Sequence, residues 1–184
     1  MSAQLLESQE IIPHIIGLFE TAGIKQFESM DQEAELIDKP GEDADTFKAY
    51  IDLTSEDLKV AMLLIVPRQI LINTIPGIPD GQDITEDMQE DWILELSNRL
   101  MGRLKNKLLS HDCFLQIGIP KSSLRLDVDM LFDDGGEVKS YFFNLDGGVA
   151  ECYLSLNLFN KEMEMDLFED EDEDWFSESE LEDL

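Results

Sequence analysis

The residues best suited to chemistry on another molecule lie in the stretch ELSNRLMGRLK, residues 95–105. On a 3.6-residue wheel Glu95, Asn98 and Gly102 fall on one line, opposite an apolar stripe of Leu96, Leu100 and Leu104. An exposed Asn costs a helix roughly half a kcal/mol against Ala and an exposed Gly about 1 kcal/mol, so helix stability alone does not account for either. A carboxylate and an amide projecting beside a glycine gap form a ridge that can enter a cleft, because Gly lets a partner's backbone or side chain approach closely. Four of the 13 basic residues, Arg99, Arg103, Lys105 and Lys107, belong to the same helix, and they would steer an anionic partner to it.

Other constellations carry less. His14 and His111 are far apart in the chain, and no Ser sits in a nucleophile-elbow glycine pattern. The run DVDMLFDDGGE suggests calcium, but counting from Asp127 puts Leu131 and Phe132 at the fifth and sixth positions of an EF-hand loop, where an oxygen ligand and Gly are needed. A strand ending in a hairpin turn fits it better. GGEV and GGVA fall at hairpin turns, not between a strand and a helix, so no phosphate loop is indicated. Cys113 and Cys152, each among apolar residues, read as buried reduced thiols.

The elements that must position the ridge follow from periodicity. Ile93, Leu96, Leu100, Leu104 and Leu108 form a core stripe with Leu94 and Met101 on its flank; Asp83 and Glu86 resemble a capping box, and the helix should end near Ser110. Leu5, Ile12, Ile15, Ile16 and Phe19 predict an earlier helix, kinked or divided at Pro13 and ended by Gly23, followed by an acidic loop over 26–46. Alternation predicts a half-buried strand over 47–53, and the doubly apolar run at 58–66 a central one; Pro67 favours a short helix over 68–75. Further strands are expected over 115–119, 124–132, 141–145 and 150–158, with Asp134-Gly135 and Asp146-Gly147 as tight turns. Helices and strands in separate runs indicate an α+β class, an antiparallel or mixed sheet covered by helices.

The composition, with 43% hydrophobic residues over 184, suits one domain, placed at 1–160, and residues 161–184 read as an unfolded acidic tail. A net charge of -29 repels phosphate backbones and anionic lipid, which argues against nucleic acid and membrane as partners. The longest apolar run, at 61–66, is too short to span a bilayer, and the first residues, MSAQLLESQE, have no basic region before their apolar residues and already carry Glu, unlike a secretory signal; the cytoplasm is the expected compartment.

Glu95, Asn98, Gly102 and Lys105 keep the spacing of the Glu-x-x-Asn-x-x-x-Gly-x-x-Lys helix of the CheC/CheX/FliY chemotaxis phosphatases, and the chain resembles the CheX members of that family over about residues 47–160. Arg99 and Arg103 depart from the pattern. The resemblance implies a CheX-like fold and a protein phosphatase that speeds hydrolysis of the aspartyl phosphate on a CheY-like response regulator. Asn98 would orient the attacking water and Glu95 would pair with the regulator's Lys, with Arg99, Gly102 and Lys105 contacting the partner. It implies no cofactor of the protein's own, Mg2+ being carried by the phosphorylated partner, and a homodimer joined through its sheets. Two other readings stand beside it: a non-catalytic binding module that keeps the ridge as a docking surface, and an acidic mimic of nucleic acid that rests on net charge.

Overall fold

Two amphipathic helices lie on one face of an antiparallel sheet, and the sheet's inward side chains and the helices' apolar stripes share one core. The structure is a computed structural model that describes residues 4–42, 45–79, 82–132 and 135–167, without the side chains at 4, 5, 130, 132 and 167. In chain order the elements are β1 (Gln4–Leu6), α1 (Ser8–Glu28), β2 (Glu35–Ile37), β3 (Thr46–Thr54), β4 (Leu58–Pro67), α2 (Arg68–Thr74), α3 (Glu86–Ser110), β5 (Gln116–Ile117), β6 (Lys121–Ser122), α4 (Asp129–Phe132), β7 (Glu137–Leu145), β8 (Gly148–Leu158) and β9 (Met165–Leu167).

The sheet runs β2-β7-β8-β4-β3-β5, with β6 also on β3, and its ladders are antiparallel. β3 shows the alternation its sequence predicts, with Phe47, Ala49, Ile51 and Leu53 buried and the residues between them half-buried. β4 lies between β3 and β8, which is why Ala61 and Leu63 are buried on the face away from the helices as well. Leu145 pairs with Gly148, so Asp146 and Gly147 form a two-residue turn, and Gly147 takes the positive φ, +103°, that the turn requires. The helix over 68–74 and the end of α3 at Ser110 agree with the sequence reading.

Several expectations are corrected. α1 runs through Pro13 and Gly23 to Glu28. Gly23 does not stop the helix; it is a contact point, because a Cβ there would lie 2.5 Å from Cζ of Phe143. The acidic stretch after it is not all loop, since β2 pairs with residues 142–144 of β7 through its main chain. Residues 124–132 form no ladder strand. Leu126, Val128 and Leu131 pack on the rear of the sheet against Ala61 and Leu63, and the segment closes in α4. Its alternation reflects one-sided packing of a segment of turns and a short helix. The strand expected over 115–119 is reduced to Gln116–Ile117. Met165–Leu167, which charge density assigned to the tail, pair with Gln4–Leu6, and the rest of that tail, 168–184, lies outside the described residues, as does Asp134 of the other expected turn.

Both cysteines are buried, and burial raises their pKa, that of Cys113 from 9.0 to about 11. Burial also raises the phenols of Tyr141 and Tyr153. These groups hold their protons more firmly folded than unfolded, so above pH 9 the unfolded chain binds fewer protons and stability falls as pH rises. Urea midpoints taken from pH 8 to pH 11 are expected to decline steadily. Gly23→Ala is expected to lower the midpoint at pH 7 by the equivalent of about 1–3 kcal/mol, the usual cost of overpacking a core.

Candidate functional site

α3 is the element that presents the candidate residues, and its ends are well defined. Thr85, not Asp83, is the N-cap: its side chain accepts a hydrogen bond from the Met88 amide at 3.3 Å. Trp92, Ile93, Leu96, Leu100, Met101, Leu104 and Leu108 are buried against the sheet and α1, which fixes the rotation of the helix about its axis. Two polar ties sharpen that orientation. Trp92 Nε1 donates to Thr74 Oγ1 of α2 at 2.9 Å, and Arg103 Nε donates to the buried Gln26 Oε1 of α1 at 2.8 Å. Arg68, at the start of α2, reaches Gln89 of α3 at 2.8 Å and Asp45 at 2.6 Å.

With the stripe held inward, Asn98 stands exposed and Glu95, Arg99, Gly102 and Lys105 are part-exposed beside it, so all five predicted site residues come together on one helix. Nothing lies within 4 Å of a Cβ built on Gly102, so the gap beside Asn98 is open. The Asn98 amide therefore offers a donor and an acceptor to a visiting molecule, which is the chemistry of positioning rather than of nucleophilic attack.

Glu95 does not wait free. Arg99 Nε lies 2.6 Å from Glu95 Oε1, and the same guanidinium stands 5.2 Å from the centroid of the Trp92 ring. Both partners are substantially solvated, with side-chain exposures of 39% for Arg99 and 44% for Glu95, so the pair is weak and exchangeable. Arg103 is drawn below its ordinary guanidinium value by burial and by the charge of Arg99, and it serves the α1–α3 contact more than the ridge. Sequence reading missed the parts played by Trp92, Thr74 and Gln26. The spacing of Trp92, Glu95 and Arg99 along one flank was the available signal for the first.

The two histidines, which sequence could not place together, do meet: His14 Nε2 and His111 Nε2 are 3.5 Å apart, and His111 Nδ1 lies 3.0 Å from the Asp166 carbonyl oxygen. They join α1, the end of α3 and β9. Among the described residues no cluster of three or more His, Cys, Asp or Glu side chains is arranged to hold a metal.

No protein-family model matches the sequence, and no curated protein matches it either. Solved structures do match. Over 78% of this chain and 96% of the other, the fold superposes on the chemotaxis protein CheX from Vibrio vulnificus with a TM-score of 0.61 at 14% identity. The fold is that of CheX. CheX from Desulfovibrio desulfuricans matches with a TM-score of 0.58 at 15% identity, over 78% of this chain and 99% of its own. CheX in a CheX–CheY–BeF3–Mg2+ complex from Borrelia burgdorferi matches with a TM-score of 0.56 at 13% identity, over 78% and 97%. The α+β class and the CheX-like architecture expected from the sequence are thereby borne out.

Filling the Gly102 gap costs the free protein nothing. Gly102→Ala is expected to raise the urea midpoint by the equivalent of about 0.5–1 kcal/mol, the helix preference of Ala over Gly at an open site.

Proposed function

We propose that the protein is a phosphatase for the aspartyl phosphate of a response regulator, acting through Glu95 and Asn98. The observation that carries this reading is the exposed Asn98 amide beside an open Gly102, one turn from Glu95, on a helix that the core prevents from turning. The CheX fold supports it, as does the existence of a CheX–CheY complex with BeF3 and Mg2+ in a protein of that fold.

In this reading α3 enters the regulator's acidic cleft. Asn98 hydrogen-bonds the water that attacks phosphorus in line, and Glu95 leaves Arg99 to pair with a lysine of the regulator. The acyl phosphate and its Mg2+ both belong to the substrate, so the protein's contribution is a fixed hydrogen-bonding group in a water-poor interface. One such group is worth about 10² to 10³ in rate. Arg99 and Lys105 meet the anionic rim of the cleft, and Gly102 lets the regulator's backbone come close. A cytoplasmic location and a dimer joined through the sheets belong to the same reading. Among the described residues no helix is long and apolar enough to cross a membrane.

The non-catalytic docking module is the second reading, and the Glu95–Arg99 contact is the observation that favours it, because that carboxylate already has a partner. Regulator phosphorylated in the presence of Mg2+ separates the two. Wild-type protein is expected to accelerate phosphate loss, and Asn98→Ala to remove at least a hundredfold of that acceleration while complex formation survives. Binding by the wild type with no acceleration would establish the module instead. Gly102→Ala, although more stable, is expected to weaken binding to the regulator.

A further inference from the structure

The Glu95–Arg99 pair rests on a seat that is fixed from inside the protein. Thr74 Oγ1 donates to the Ile70 carbonyl at 2.8 Å, which leaves its lone pairs for the Trp92 Nε1–H at 2.9 Å. Trp92 is 6% exposed, so turning its ring would strand a buried donor. Over that ring stands the Arg99 guanidinium, 5.2 Å from the centroid, and Arg99 Nε donates to Glu95 Oε1 at 2.6 Å. Trp92, Glu95 and Arg99 follow one another at i, i+3 and i+7 along the flank of α3 that adjoins Asn98.

Solvent decides what this pair is worth. In the free protein both side chains are hydrated, and water compensates either charge when the two part. A molecule that covers Asn98 and draws Glu95 to itself also dries Arg99, the next residue along the helix. Attraction between a cation and an aromatic face strengthens as water leaves, so the guanidinium stays over Trp92 while its carboxylate is taken away. A desolvated cation without an anion opposes binding, and the remedy is a carboxylate on the incoming surface. Lysine at this position would behave differently, because an ammonium has no planar face to lay on the indole.

We propose that Arg99, seated on Trp92, is a specificity-determining residue that selects a regulator carrying a carboxylate beside the lysine that Glu95 engages. On docking, the internal pair opens and two pairs form across the interface, Glu95 with the lysine and Arg99 with the carboxylate. A regulator that has the lysine alone leaves Arg99 buried and unpaired, and is rejected. Trp92 acts through Arg99, as a positioning residue. The inference rests on the reading of the ridge as a regulator-binding surface, and it holds whether or not Asn98 is catalytic.

The test is a double-mutant cycle on affinity, measured with the full chain and response regulators held in the phosphorylated form by beryllofluoride and Mg2+. Each surface Asp and Glu of the regulator outside its phosphorylation site is neutralised in turn to Asn or Gln. One such change is expected to weaken binding to the wild type about tenfold or more and to leave binding to Arg99→Ala unaltered. Trp92→Phe, which keeps a ring beneath the guanidinium, is expected to retain that coupling, and Trp92→Leu to lose it. A wild type that binds with no regulator carboxylate coupled to Arg99 would overturn the proposal alone. A wild type that binds none of the regulators would overturn the underlying reading together with it.

Discussion

The burial of one face of α3 against the sheet is the constraint on which the rest depends. Leu96, Leu100 and Leu104 have no more than 1% of their surface exposed, and removing any one of their side chains to Ala would cost about 2–5 kcal/mol. A helix held so firmly on one side has no freedom in what it shows on the other. Glu95, Asn98 and Gly102 face outward because the leucines between them cannot. Trp92 with Thr74, and Arg103 with Gln26, add directional hydrogen bonds to a packing force that has none of its own. The candidate ridge is therefore built on an element whose rotation the core fixes.

Within this frame the polar ridge holds two kinds of group. Asn98 is exposed and has no hydrogen-bond partner among the described residues. Glu95 is shared with Arg99, whose guanidinium is steadied by the Trp92 ring, so engaging a foreign cation means exchanging one solvated ion pair for another. Such an exchange would cost little in stability. The same helix carries its carboxylates in the first half and its cations in the second, which complements the macrodipole and leaves the ridge at the boundary between them.

Where burial imposes a period, the sequence was readable. α3, β3 and the β7–β8 hairpin repeat apolar residues at the spacing of their structure and β4 is an unbroken apolar run, and their positions agree with that reading except that β7 begins earlier, at Glu137. The gathering of Glu95, Asn98, Arg99, Gly102 and Lys105 on one face was legible for the same reason. Short elements were not: β2 has three partly or fully exposed residues and no apolar pattern, and β9 is a three-residue piece of an acidic run in which Met165 alone reaches the core. Gly23 misled because its role is steric, set by Phe143, which lies 120 residues further along the chain. Residues 124–132 misled because chain laid along the rear of a sheet can alternate without joining a ladder. The meeting of His14 with His111 is a tertiary event that no local spacing announces.

The central claim is that the outward face of α3 delivers the Asn98 amide into a regulator's phosphorylation site. A crystal structure of the protein bound to a Mg2+-loaded regulator carrying a beryllofluoride mimic of the phosphoryl group would examine it directly. The Asn98 side chain is expected within hydrogen-bonding distance of the position from which water attacks, with Gly102 against the regulator's surface. A complex in which α3 faces solvent and the regulator sits elsewhere on the fold would contradict it.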